Sequence, residues 1–293
     1  MRRALSKTYG AAEQLLLDEY PTAAVAYSLR DLSTASVGSA VVRVRRSSDN
    51  TEQDFTATEI TDGTLETFVG TGNDGFVTTL YDQSGNLQNI SQNSAVNQGK
   101  IVDSGSLLTK EGKPTVNTIA SYNRGTTSNY LDYYTNTDTF TFTLHTLDGN
   151  LTNNNDVFID NAGGAHQSRT GFSFSVNYAG VNYPASTNIS SINYDRNLIQ
   201  DIYQVLIWES YPSNTDVNER LKLYNNNGLL ADGNTSNNPP TGQGSNRYDA
   251  YFGAEAAGYL APVGLWQETV LYKESNIPNR SNFINSIQQY YTF

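Results

Sequence analysis

The sequence contains no cysteine, so neither a disulfide framework nor a thiolate metal site is available to it. Its two histidines, His145 and His166, belong to no recognisable ligand motif, and we expect neither a metal nor a cofactor. Positive charge is scarce: 18 Lys and Arg stand against 29 Asp and Glu, a formal net charge of −11. This balance argues against nucleic acid as the main partner, because phosphate binding needs a basic footprint.

Long apolar runs are also missing. No stretch approaches the roughly 20 apolar residues of a membrane-spanning helix, so we expect no membrane insertion. The N-terminus, Met1-Arg-Arg-Ala-Leu-Ser-Lys7, is not followed by the apolar segment of a secretory signal. We therefore expect a protein that leaves the cell by lysis, as phage particles do.

Polar, turn-forming residues make up much of the chain. Hydrophobic residues account for 37% and charged residues for only 16%, and Asn, Thr, Ser, Gly and Tyr fill the difference. Asn and Gly tolerate the backbone conformations of tight turns, so this composition is typical of short strands joined by many turns. With 20 Tyr and 11 Phe, the chain has ample surface to bury. The composition predicts a folded, β-rich protein.

The first 20 residues have a different character from the rest. Apolar residues at helical spacing, interrupted by Pro21, predict a short helical arm over residues 1–20. The arm can dock on its own domain or on a neighbouring subunit, and the sequence leaves both open. Thr22 is a candidate N-cap for a second short helix that reaches Leu32. Residues 21–293 are expected to form one domain.

From Ala40 onward the apolar residues recur with a period of two. Val42 and Val44 are expected on a buried face, and Arg43 and Arg45 on a solvated one. The Asn- and Gly-rich stretch 228–244 is expected to be an exposed loop, and residues 278–291 a terminal helix that packs on the sheet. Further candidate strands lie at 76–81, 100–102, 115–119, 140–147, 156–160, 171–177, 200–208, 249–252 and 265–272.

Several segments resemble one known module. They are Ala26-Tyr-Ser-Leu-Arg-Asp-Leu32, Arg43-Val-Arg-Arg-Ser-Ser-Asp-Asn50, Phe68-Val-Gly70, Tyr81-Asp-Gln-Ser-Gly-Asn86, Gly112-Lys-Pro114 and Gly264-Leu-Trp-Gln-Glu-Thr-Val-Leu-Tyr272. The first five resemble the catalytic domain of the α-L-arabinofuranosidase B family, a module that also occurs in structural proteins of tailed bacteriophages. The last, residues 264–272, resembles the closing strands of concanavalin-like sandwiches. The resemblance implies an all-β, concanavalin-like jelly-roll β-sandwich, here with a short N-terminal helical arm and a C-terminal helix.

The resemblance also implies a position for one catalytic group. In the enzymes an acid/base aspartate follows a Gly-Gly pair, and the matching stretch here is Gly253-Ala-Glu255, so Glu255 is the candidate proton donor. The nucleophile is not placed; the candidates are Asp156, Asp160, Asp195 and Asp201. The chain lacks the cysteine pair of the family's active site and the sugar-binding trefoil that follows the catalytic domain.

Other residues are candidates for binding. Asp82 and Asn86 carry oxygens that suit a calcium ion, but an Asx-turn that satisfies its own backbone is the alternative. Tyrosine rings suit a sugar face because they join an apolar body to a polar tip. The candidates for glycan binding are Tyr130, Tyr133, Tyr134, Tyr211 and Tyr259.

Three functions follow as hypotheses. The first is a virion structural protein of a tailed phage (a tail, fibre or head-decoration component) that binds other virion proteins through residues 1–20. It is expected to form homo-oligomers and to contact host-surface carbohydrate. The second is a retaining glycosidase of the α-L-arabinofuranosidase type, and the third a non-catalytic carbohydrate-binding module.

Overall fold

The computed structural model describes residues 14–118, 123–124, 139–147, 156–160, 171–174, 178–182, 189–193, 202–211, 214–216, 219, 221–232, 251–252, 264–273 and 278–293. The helices in these residues are α1 (Leu16–Glu19), α2 (Ala57–Thr61), α3 (Thr64–Val69) and α4 (Arg280–Gln288), with a 3₁₀ turn at Ala95–Asn97. The strands are β1 (Val25–Ser28), β2 (Ala40–Arg46), β3 (Glu52–Thr56), β4 (Gly75–Leu80), β5 (Ile90–Ser91), β6 (Lys100–Asp103), β7 (Ser106–Leu107), β8 (Thr109–Lys110), β9 (Lys113–Pro114), β10 (Val116–Asn117), β11 (Asn123–Arg124), β12 (Thr139–Leu147), β13 (Asp156–Asp160), β14 (Gly171–Phe174), β15 (Tyr178–Asn182), β16 (Ile189–Asn193), β17 (Gln204–Ser210), β18 (Leu221–Asn225), β19 (Gly228–Asp232), β20 (Tyr251–Phe252) and β21 (Gly264–Lys273).

Strand β21 is the centre of the architecture. It pairs with β12 along most of its length and, on its other side, with β1 and then β10. From β12 the sheet continues through β17, β18 and β19, and from β10 through β6 and β4 to β2 and β3. The strand pairs are antiparallel. The fold is an all-β jelly-roll sandwich, which confirms the predicted fold class.

Apolar side chains lie on both faces of the central strands, and they form two cores. On β21, Trp266 and Leu271 belong to the first core, while Val270 and Tyr272 belong to the second. The first core also takes Val42 and Val44 of β2, as the period of two predicts, and in addition Val41, which that period places on the opposite face. These strands are covered on both sides, so their sequences are apolar at consecutive positions.

The second core is covered by the C-terminal helix, as predicted. Asn279 caps α4 by accepting a hydrogen bond from the backbone N–H of Asn282. Phe283 of α4 is fully buried, and its ring lies 5.2 Å from those of Phe140 and Phe142 and 5.9 Å from that of Tyr272. Edge-on aromatic contacts of this kind fix the helix on the sheet.

The described part of the N-terminal segment packs on the same core. Leu16 and Leu17 of α1 are buried there, and the backbone N–H of Leu17 donates to the carbonyl of Leu32. The Tyr272 hydroxyl donates to the carbonyl of Tyr20 at 2.8 Å. Residues 14–20 therefore dock on their own domain. Residues 1–13 lie outside the described part of the chain.

The helix expected from Thr22 to Leu32 is wrong. Val25–Ser28 form β1, in register with β21 from Ser28 opposite Glu268 to Val25 opposite Leu271. All four residues of β1 are buried, since β1 is covered on both faces. A strand buried on both faces shows no period of two, and its run of apolar residues was mistaken for the stripe of a short helix.

Two more differences concern local signals. The loop expected over 228–244 begins instead with β19, which forms a hairpin with β18. Helix α2 was not predicted, although Thr56 and Glu59 form a capping box whose sequence pattern is recognisable. No helix in the described residues is long and apolar enough to cross a membrane.

Candidate functional site: a polar pocket beside the buried Arg30–Glu268 pair

A buried ion pair joins the start of the chain to its end. Glu268 lies on β21 opposite Ser28 of β1, and Arg30 follows two residues later. Nε and Nη2 of Arg30 donate to the two oxygens of Glu268 at 2.8 and 3.1 Å. The hydroxyls of Ser28 and Tyr291 donate to the same carboxylate, at 2.8 and 3.1 Å. Glu268 is 0% exposed, so its charge is balanced entirely by neighbouring protein groups.

The electrostatics of this cluster follow from burial. Desolvation alone would lower the pKa of Arg30, but the charge and hydrogen bonds of Glu268 outweigh it and raise the pKa. Desolvation, together with the charge of Glu268, raises the pKa of Tyr291 well above its ordinary value. Arg30 therefore stays cationic and Tyr291 stays a neutral hydrogen-bond donor.

Tyr290 connects the cluster to the surface. The guanidinium carbon of Arg30 lies 4.6 Å from the centre of its ring, and Nζ of Lys113 lies 3.8 Å from it. The hairpin of β8 and β9, which carries Lys113, is fixed by Gln267, whose amide donates to the carbonyls of Lys110, Lys113 and Pro114. The ring is thus held by two cations on separate elements.

A pocket of about 250 Å³ opens beside this ring. Its walls come from the three residues that follow β1, from α2, from the residue preceding α1 and from Tyr290. The lining residues are Leu15, Leu29, Arg30, Asp31, Ala57, Thr58, Thr61 and Tyr290.

Asp31 is the unusual group in this pocket. Its Oδ1 atom is buried and has no hydrogen-bond partner among the described residues. Burial raises the pKa of the Asp31 carboxyl. A buried polar atom left without a partner costs about 1–3 kcal/mol, so such an atom in a cavity wall calls for an explanation. The sequence offered no signal for it, because Asp31 belongs to no motif of its own.

A second buried carboxylate lies on the same face of the sheet. Glu209 of β17 accepts a hydrogen bond from Arg280 of α4 at 2.7 Å, and the Tyr211 hydroxyl donates to it at 3.2 Å. The candidate Tyr211 is thus half-buried at the edge of an ion pair. Arg280 in turn lies 3.4 Å from the ring centre of Tyr224.

Glu209 and Glu268 are too far apart to act together on one glycosidic bond. They face Phe140 and Leu144 of β12, four residues apart on that strand, and they lie on opposite sides of it. The offset along β12 alone is about 13 Å at ~3.3 Å per residue. Retaining glycosidases hold their two carboxyl groups about 5–5.5 Å apart. In the described residues these are the two buried carboxylates, and each is held by an arginine.

Asp82 and Asn86 have contacts of a structural kind. Oδ1 of Asp82 accepts from the backbone N–H groups of Ala26 and Ser84, and Oδ2 accepts from the Ser84 hydroxyl and the Gln88 N–H. The amide of Asn86 donates to the carbonyl of Ala23 at 3.0 Å. The turn therefore fastens β4 to β1, and both carboxylate oxygens of Asp82 already have donors.

The remaining predicted site residues lie outside the described part of the chain. These are Glu255, Tyr259, Tyr130, Tyr133 and Tyr134, together with the nucleophile candidates Asp195 and Asp201. Asp156 and Asp160 lie on β13, of which only the backbone is described. Their roles stay predictions. Trp266, by contrast, is fully buried in the first core, and its ring N–H donates to Thr269 at 2.9 Å, so it is not a sugar-stacking surface.

Comparisons with known proteins identify the fold. No protein-family model matches the sequence, and no curated protein matches it. Among solved structures, a GH54 α-L-arabinofuranosidase soaked with a cyclic sulfate inhibitor matches with a TM-score of 0.52 and 16% identity. A mutant of GH54 α-L-arabinofuranosidase soaked with 4-nitrophenyl α-L-arabinofuranoside matches with a TM-score of 0.53, also at 16% identity. Both alignments cover 91% of this chain and 62% of the other. The protein has the β-sandwich fold of these glycosidases.

Proposed function

We propose that this chain is a structural component of a tailed-bacteriophage particle that uses an arabinofuranosidase-type sandwich to bind glycans without cleaving them. The observation that carries the proposal is that Glu209 and Glu268 are each paired with an arginine and lie far apart on the sheet. Each is neutralised by an arginine, and they lie too far apart to attack and protonate one bond. In this proposal, the face of the sheet that carries these two glutamates has a structural role and not a catalytic one.

The residues that carry the family resemblance are packing and turn residues. Tyr27, Val42 and Val44 are buried in the first core, and the turn from Asp82 to Asn86 fastens two strands together. Packing and turn residues of this kind suit an enzyme and a structural protein equally well, because fold does not imply function. The likeness to the two arabinofuranosidases adds the fold and the class of ligand to be tested.

The particle contacts are part of the same proposal. The chain attaches to other virion proteins through residues 1–20, with residues 14–20 docked on its own domain and residues 1–13 as the attaching part. It forms homo-oligomers that follow the symmetry of the particle. Host-surface carbohydrate is the external partner.

A second candidate function is hydrolysis by retention, with Glu255 as the proton donor. The fold likeness to structures soaked with arabinofuranoside ligands favours it. The chain spans 62% of the length of those enzymes, so their whole activity is a hypothesis here.

One experiment separates the two candidates. The full chain is tested for binding to immobilised polysaccharide from the host surface and, in parallel, for release of nitrophenol from 4-nitrophenyl α-L-arabinofuranoside. We expect binding without release. Release that is lost in Glu255→Gln and kept in the exposed control Glu111→Gln would establish the hydrolase and overturn the proposal. A chain that binds no host polysaccharide would overturn the glycan-binding role.

A further inference from the structure

Among the described residues that line the pocket beside Tyr290, none was predicted to bind glycan. Its wall residues come from the first 61 residues and from the C-terminus, whereas the predicted tyrosines lie between 130 and 259. β1 and α4, the two elements that flank it, are fixed by the pairing with β21 and by the second core. The pocket is therefore part of a rigid portion of the sandwich.

The polar groups of the pocket fit a ligand that both donates and accepts hydrogen bonds. Asp31 lines the pocket and is only partly buried, so its carboxylate can accept a hydrogen bond from a ligand hydroxyl. Arg30 uses Nε and Nη2 for Glu268, which leaves the hydrogens of Nη1 for a ligand oxygen. Thr58 adds an exposed hydroxyl at the mouth.

The charges of the pocket favour a neutral ligand. An anion would be repelled by the carboxylate of Asp31, and a cation would lie close to the guanidinium of Arg30. Asp31 has no further acidic or histidine partners that would complete a metal site within the described residues. A polyol carries hydroxyls that pair with both groups at once.

The size and the apolar walls narrow the ligand further. A volume of about 250 Å³ lies just below the usual range for drug-sized ligands, roughly 300–1,000 Å³, and therefore suits a single ring. Leu15, Leu29 and Ala57 provide apolar surface for the C–H face of such a ring.

We propose that this pocket binds one neutral sugar ring, a pentose or a hexose, with Asp31 accepting from its hydroxyls and Arg30 donating to them. The ligand class rests on the proposed glycan-binding function. The site itself rests on Arg30 and Asp31 as lining groups and on the volume of the cavity.

The test uses the full chain, labelled with ¹⁵N and titrated with L-arabinose, D-xylose, D-galactose and D-glucose. We expect one of these sugars to shift the backbone amide signals of Leu29, Asp31 and Thr58 in a saturable manner. Asp31→Ala should weaken binding by about tenfold or more, since a hydrogen bond to a charged group is lost. The matched control is Asp103→Ala, an exposed aspartate away from the pocket lining, which should bind as the original chain does.

A second variant guards against a fold defect in the first. Thr58→Trp places a large side chain at the mouth from an exposed helix position and should abolish the shifts, while Thr67→Trp on α3 should not. Binding to host polysaccharide is measured on the same proteins. Polysaccharide binding that persists in Thr58→Trp, with no monosaccharide shifts at the pocket in the original chain, overturns the pocket and leaves the proposed function standing. Absence of polysaccharide binding by the original chain overturns the proposed function, and shifts at the pocket alone would still support the sugar site.

Discussion

Arg30 and Glu268 form a buried ion pair that joins distant parts of the chain. They are 238 residues apart in sequence and make a two-point contact in the interior. Glu268 appears in the sequence as an ordinary polar residue within an apolar strand. Its partner could not be foreseen, because a pairing across 238 residues depends on the register of β1 with β21.

Breaking this pair should destabilise the protein strongly. Arg30→Met leaves the carboxylate of Glu268 buried without its cation, and we expect a loss of about 3–5 kcal/mol in the free energy of unfolding. Urea denaturation measures this loss. The control is Arg43→Met, because Arg43 pairs with Asp54 at the surface and its removal should cost about 0–1 kcal/mol. Equal losses in the two variants would contradict a special role for the buried pair.

The pH dependence of Asp31 provides a second prediction at this scale. Its pKa is raised in the folded protein by burial, so folding opposes its ionisation. Asp31 therefore does not lower the free energy of unfolding at pH values below its unfolded pKa. It lowers that free energy increasingly as pH rises through the folded pKa. Asp31→Asn should therefore raise Tm more at pH 7 than at pH 3, as measured by thermal unfolding at the two pH values. A larger gain at pH 3 than at pH 7 would contradict the assignment.

At the scale of elements, periodicity was a reliable guide where one face of a strand is exposed. β2 alternates between buried valines and partly exposed arginines, and it was predicted with nearly its observed bounds. β1 failed for the opposite reason, because it is buried on both faces and so lacks alternation. The C-terminal helix was predictable because Phe283, Ile287 and Tyr291 recur at helical spacing and all three are buried.

The candidate site was less predictable than these elements. The turn from Asp82 to Asn86 was visible in the sequence as a cluster of turn formers, and its alternative role as an Asx-turn agrees with the contacts of Asp82. The pocket was not foreseen, because its wall is assembled from four separate stretches of chain. No local sequence pattern indicates that these stretches lie together in the fold.

The N-terminal segment gives a prediction of its own. Leu16 and Leu17 belong to the second core, so a deletion of residues 1–20 removes buried apolar surface worth about 1.5–3 kcal/mol for each leucine. A deletion of residues 1–13 spares both. We expect the shorter deletion to keep the Tm of the full chain and the longer one to lower it, as measured by thermal unfolding. An equal Tm for the two deletions would contradict the docking of α1.

At the scale of the whole molecule, the sandwich fold could be predicted from the sequence. The function of the chain is a proposal. The fold follows from short strands, polar turns and the family resemblance, and two arabinofuranosidase structures share it. Function depends on groups that a fold does not specify, such as the pairing state of Glu209 and Glu268. These contacts exclude Glu209 and Glu268 as a catalytic pair and say nothing about Glu255, which lies outside the described residues.

The most direct test of the proposed virion role is the protein composition of purified phage particles from lysates in which this chain is produced. Particles separated on a density gradient are analysed by quantitative mass spectrometry for peptides of the chain. We expect the chain to migrate with the particles in a copy number fixed by their symmetry. Deletion of residues 1–13 should move it to the soluble fraction. If the full chain is found only in the soluble fraction of the lysate, the proposed virion role is contradicted.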